Sequence, residues 1–179
     1  MAIIKNYGLR WVRERINWGS TGPGRRGSLL GKVGAAKANQ VVDFREQIGI
    51  YVLYDKDLKT VYVGQAGSGN ARLFERLKNH TNDHLRDRWS YFSWFGFREV
   101  TQKNRLSEKQ EPNSEKKVSY NDALGQIEGV LIEVLEPPLN RQSASWDAKE
   151  YVQYIESSDT TLDDIYREIQ ELKNKADNI

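Results

Sequence analysis

At 179 residues, with 38% hydrophobic and 29% charged side chains, the chain suits one globular domain, with room for an appended element but not a disordered composition. It has no cysteine, which excludes a disulfide framework, a thiolate metal site and a thiol nucleophile. A net charge of only +2 gives no bulk attraction to nucleic acid, so any such partner must be argued from where the charges sit.

No apolar run approaches the roughly 18 residues a membrane span needs, and Met1 to Lys5 lacks the apolar region of a signal peptide. A cytoplasmic protein with no membrane partner is the expectation. Residues 1–47 read as a basic, irregular extension. Arg10, Arg13 and Arg15 precede the Gly-rich stretch Trp18 to Ser28, whose glycines and Pro23 predict a loop. On it, Arg25 and Arg26 are either solvated or placed to touch a phosphate backbone. No Gly-Lys-Ser/Thr follows, which argues against a nucleotide phosphate loop.

Gly49-Ile50-Tyr51-Val52-Leu53-Tyr54 and Val61-Tyr62-Val63-Gly64 are β-type runs around the polar turn Asp55 to Thr60, and predict a hairpin. Alternation puts Tyr51 and Leu53 on one face and Ile50 and Val52 on the other, while Tyr62 and Gly64 share a face. Antiparallel pairing would bring the two phenols together beside Gly64, where a backbone or ligand can approach. Asn70 is a plausible cap for a helix from Ala71 to about His80. Leu73, Phe74 and Leu77 form its core stripe; Arg72, Arg76 and His80 form a row on another face, favourable if that row meets an anion. His80 and His84 have zinc-ligand spacing, but neither the Glu of the zinc-protease pattern nor another ligand accompanies them.

Trp89 to Arg98 is aromatic throughout and predicts a third, core strand. Residues 101–118 predict a flexible loop. Tyr120 to Leu135 predicts a helix striped by Ala123, Leu124, Ile127, Leu131, Val134 and Leu135, ended by Pro137-Pro138. Glu128 falls on that stripe, where a buried carboxylate would need a partner or a cation. In the tail, Leu162, Ile165, Ile169 and Leu172 follow a heptad spacing too short to stand alone, so that helix would dock on the core, pair with a second copy or hold a partner protein.

Gly49-Ile50-Tyr51, Tyr62-Val63-Gly64, Arg76 and His80 on a helix, Glu128 on a later helix and then Asn140 together resemble the GIY-YIG endonuclease superfamily, over roughly residues 48–142. Val63 stands where the motif name has isoleucine. The resemblance implies an α+β fold built on a small three-stranded antiparallel sheet flanked by helices, with residues 1–47 and 143–179 as extensions. It implies that Glu128 binds Mg²⁺ or Mn²⁺, that Arg76 stabilises the phosphate in the transition state, and that Tyr51 is the general base or part of its network. Tyr62 matches the second motif tyrosine, His80 a histidine that helps deprotonate the nucleophile, and Asn140 a polar residue near metal or phosphate. Arg72 carries no family role, and the Arg76–His80 spacing decides between the two arginines; Arg72, with Gly64, Arg25 and Arg26, is placed among the substrate contacts. The implied activity is metal-dependent hydrolysis of phosphodiester bonds in duplex or branched DNA. The rival is a nucleic-acid-binding module with little cleavage.

Overall fold

The structure, a computed structural model, describes residues 3–20, 26–34, 40–67, 71–108, 120–136 and 146–155, with the side chains at 120–122 excepted. Asn70, Arg25, Asn140 and the heptad stripe at 162–172 lie outside the described residues.

The hairpin forms as the alternation requires. β4 (Gly49–Tyr54) pairs antiparallel with β5 (Thr60–Ala66), with Tyr51 opposite Gly64 and Leu53 opposite Tyr62. Asp55 makes the turn: its Oδ1 accepts the amides of Asp57 and Lys59, each at 2.9 Å, and Leu58 takes the left-handed conformation at φ 61°. The aromatic run becomes β6 (Tyr91–Gly96), paired antiparallel with β4 along its whole length.

The expectation of a three-stranded sheet flanked by helices is corrected here. β6 is a central strand, and its second edge is taken by β1 (Asn6–Val12) from the segment read as irregular. β7 (Lys149–Glu150) adds to β1 in parallel, giving a five-stranded mixed sheet in the order β5-β4-β6-β1-β7. A second sheet of three strands, β3-β2-β8, joins β2 (Leu30–Lys32), β3 (Val42–Asp43) and β8 (Val152–Gln153). The chain is α+β, and residues from both flanks of 48–142 are hydrogen-bonded into its sheets. The signal of β1 was obscured by a bulge between Gly8 and Trp11, where Arg10 has φ 50°, and by glycines nearby; β2, β3, β7 and β8 are too short to show a period.

Pairing β6 on both edges explains its composition. Phe92, Trp94 and Phe95 are fully buried because the sheet is covered on both faces. On one face Trp11, Phe44, Leu53, Phe92, Trp94 and Tyr151 pack with α1 (Leu73–Asn79), whose Leu73, Phe74 and Leu77 are the expected stripe. Burying each such side chain contributes about 1.5–3 kcal/mol. Gly31 of the small sheet leaves room for the Trp11 indole: a Cβ there would stand 2.7 Å from Cη2. On the other face Tyr7, Val52, Tyr54 and Phe95 meet Val130 and Val134 of α2 (Tyr120–Leu135).

Beside the start of β4 lies a buried polar knot. Gln47 Nε2 donates to Asn6 Oδ1 at 2.8 Å and to the Arg98 carbonyl at 3.1 Å, and Gln47 Oε1 accepts the amides of Ile48 and Arg98. The Gln47 carbonyl accepts the Leu73 amide at 2.9 Å. The same residue therefore locks β1, β4 and the chain leaving β6 together and seats the first turn of α1.

Candidate active site

α1 is oriented by its apolar stripe, which forces its other face toward the hairpin. Leu77 is buried, so Arg76 and His80 emerge along the β4–β5 surface. Arg76 Nε donates to the Gln65 carbonyl of β5 at 3.1 Å. His80, the C-cap of α1, brings Nε2 to 2.8 Å from Tyr51 Oη. Its Nδ1 lies 2.6 Å from Asp83 Oδ2, and its carbonyl accepts the Trp89 indole N–H at 3.1 Å. Tyr62 completes the cluster, with its ring 4.9 Å from the His80 ring and 6.1 Å from the Tyr51 ring.

Four residues named from sequence, Tyr51, Tyr62, Arg76 and His80, are thus neighbours. Arg72 Nε stands 3.8 Å from Glu46 Oε2. Arg26 is exposed at the surface. A Cβ at Gly64 would stand 2.3 Å from Tyr51 Oη and 2.8 Å from Tyr62 Cε1, so the glycine makes room for the two phenols themselves. His84 is exposed, and both ring nitrogens of His80 are engaged, so the two histidines do not act as a pair.

Tyr51 is fully buried, while Tyr62 and Arg76 are part exposed. The outward-facing members of the cluster are therefore Tyr62 and Arg76, with Tyr51 and His80 behind them. Burial pushes the Tyr51 phenol up to about 12; the Arg76 charge pulls it back only in part, and Tyr62 adds to the rise. Burial also works against the charged form of Asp83, but the Leu85 amide, the His80 hydrogen bond and the His80 and His84 charges together outweigh it and hold the carboxyl below the usual range.

The Tyr51 shift predicts alkaline sensitivity. An unfolded tyrosine loses its proton near ~10, whereas Tyr51 in the fold keeps it to about 12. Between those values the folded state binds more protons, so stability is full below pH ~10 and falls as pH rises toward 12, by up to about 3 kcal/mol. Burial raises Tyr7, Tyr54 and Tyr151 as well, in the same direction. Urea midpoints between pH 9 and 11.5 should drop less steeply for Tyr51→Phe than for the wild type; identical slopes would show that Tyr51 contributes nothing to the loss.

Glu128 stands apart from this cluster. It is exposed, on a helix whose packed residues Val130 and Val134 meet the sheet face opposite Tyr51. Four members of the stripe it shares, Leu124, Ile127, Leu131 and Leu135, are themselves 51–65% accessible, while Val134 packs on the sheet. α2 packs instead through Val130 and Val134 and through Gln126, whose Oε1 accepts the Ile3 and Ile4 amides. The carboxylate therefore does not need a cation to offset burial. Among the described residues no group of three or more His, Asp or Glu side chains is placed to hold a metal ion.

Asp83 is the site residue that sequence reasoning missed. Its signal was a carboxylate three positions after His80, in a turn where Asp83 Oδ1 also accepts the Leu85 amide at 2.8 Å. Two arginines of the N-terminal segment are structural: Arg13 donates to the Trp89 carbonyl and stacks 4.7 Å over the Trp89 ring, and Arg10 pairs with Glu136. Among the described residues no helix is long and apolar enough to cross a membrane. Comparison with protein-family models, curated proteins and solved structures returns no match to this chain.

Proposed function

We propose that the chain is a cytoplasmic endonuclease hydrolysing phosphodiester bonds in DNA, with a divalent-metal requirement carried by Mg²⁺ or Mn²⁺. The observation that supports it is the convergence of Tyr51, Tyr62, Arg76 and His80, from two strands and a helix, into one partly buried cluster. Arg76 is the charge that meets a phosphate, and its planar fork suits the extra negative charge of a pentavalent phosphorus. Tyr62 faces the attacking water. As Tyr62 Oη takes the water's proton it passes its own to Tyr51 Oη, and Tyr51 passes its own to His80 Nε2. The water oxygen bonds to phosphorus, the bond to the leaving oxygen breaks, and that oxygen takes a proton from solvent. Mg²⁺, when bound, supplies charge neutralisation at the phosphate.

A nucleic-acid-binding module is the second reading, favoured by the separation of Glu128 from the cluster. Supercoiled plasmid incubated with Mg²⁺, Mn²⁺ or EDTA discriminates the two. The nuclease reading expects metal-dependent nicking that is lost in His80→Ala. Loss in Glu128→Ala would also assign the metal to α2, whereas retention there would move the metal site elsewhere. A folded wild type that binds DNA and never cuts it in any metal leaves the binding module.

A further inference from the structure

We propose that Asp83 is a positioning residue that fixes His80 as the Nδ1–H tautomer, with Nε2 free to accept from Tyr51. The tautomer follows from hydrogen-bond capacity alone. An ionised carboxylate only accepts, so at 2.6 Å the Nδ1 of His80 must carry the proton it shares with Asp83 Oδ2. A neutral imidazole has one N–H, so Nε2 is then the acceptor, and at 2.8 Å it takes the Tyr51 hydroxyl proton. The opposite tautomer would leave Asp83 Oδ2 facing a bare nitrogen lone pair.

Asp83 is itself held. Its Oδ1 accepts the Leu85 amide, so the carboxylate cannot swing away from the ring. The His80 backbone is pinned by the Trp89 indole. Among the described residues, the titratable and charged groups around His80 are Tyr51 from β4, Tyr62 from β5, Asp83 from the turn after α1, with His84 acting on Asp83, and Arg76 one helical turn earlier. Of these only Asp83 presents an acceptor at Nδ1. Proton movement from Tyr51 to His80 forms the Nε2–H bond as the Oη–H bond breaks. The imidazolium so created lies beside a carboxylate that stabilises it. The catalytic half of this proposal rests on the nuclease reading; the tautomer does not.

The test is nitrogen NMR on the full chain labelled with ¹⁵N-histidine, above the pH at which histidine is charged. The chain has two histidines, and His84→Gln assigns the signals. Wild type is expected to give His80 a pyrrole-like Nδ1 and a pyridine-like Nε2. In Asp83→Asn the single oxygen goes to the Leu85 amide and the NH₂ faces Nδ1, so the pattern reverses; in Asp83→Ala it becomes a mixture. Unchanged nitrogen shifts in both variants, with native circular dichroism, would overturn the proposal. If the wild type cuts plasmid, Asp83→Asn should lower kcat by about 10²-fold or more at unaltered KM, as expected of a wrong tautomer. If the wild type does not cut, the nuclease reading fails while the nitrogen shifts still decide the tautomer.

Discussion

Tyr51→Phe is expected to fold and to lose plasmid cleavage by about 10²- to 10⁴-fold, the range that a positioned proton-transfer group contributes. The ring stays, so the packing with Leu53 and Trp94 is kept. What goes is one oxygen that sits 2.8 Å from His80 Nε2 and within reach of Arg76 and Tyr62. Without it the outward-facing Tyr62 has no path for a proton into His80. Some stability should go too, about 1–3 kcal/mol, because a buried imidazole nitrogen is left without its partner. Activity and stability must therefore be read together: the urea midpoint establishes how much folded enzyme is in the assay, and kcat is compared at equal folded concentration. Cleavage within a few-fold of wild type would make Tyr51 a core aromatic and remove the proton path proposed above. Tyr62→Phe is the companion. Its part-exposed ring should cost little stability, so a comparable loss of cleavage there would place the water on the outward side of the cluster.

Gly49→Ala should be the most damaging single change to the fold. Gly49 has φ +148°, a conformation L side chains rarely adopt. A Cβ there would stand 1.9 Å from the Phe95 carbonyl oxygen, 3.0 Å from the Phe95 carbonyl carbon and 3.2 Å from Gly96 Cα. All three are backbone atoms of β6, so no rotamer change relieves the contact. Relief requires β4 and β6 to part where the Gln47 and Asn6 side chains also join them. The expected loss is about 4 kcal/mol or more, a large part of the 5–15 kcal/mol typical of a domain. Chemical unfolding or soluble yield measures it, and a midpoint near that of wild type would contradict the backbone approach at β6. Gly64→Ala contrasts with it: the contacts there are the ends of Tyr51 and Tyr62, which can shift, so activity should suffer more than stability.

Much of the candidate site was legible because it depends on local periodicity. The face shared by Tyr51 and Leu53 follows from strand alternation, and the emergence of Arg76 and His80 follows from the stripe of Leu73, Phe74 and Leu77. The sheet was less legible. β1 pairs with β6 across 79 to 90 positions, and β7 and β8 are two-residue segments whose partners lie near the other end of the chain. Such contacts leave no short-range pattern, because a strand that owes its existence to an open edge elsewhere needs only a compatible backbone.

By itself, then, the sequence determined the hairpin, the aromatic strand, both helices and the row that carries Arg76 and His80, because apolar spacing fixes which face of each element is buried. Tertiary structure alone decided two things. It recruited Asp83, because a turn rather than a helix follows His80. It also exposed the leucine stripe of α2 with Glu128 on it: the sheet face that α2 covers is matched by Gln126, Val130 and Val134, so the more apolar side of that helix is the one left outward.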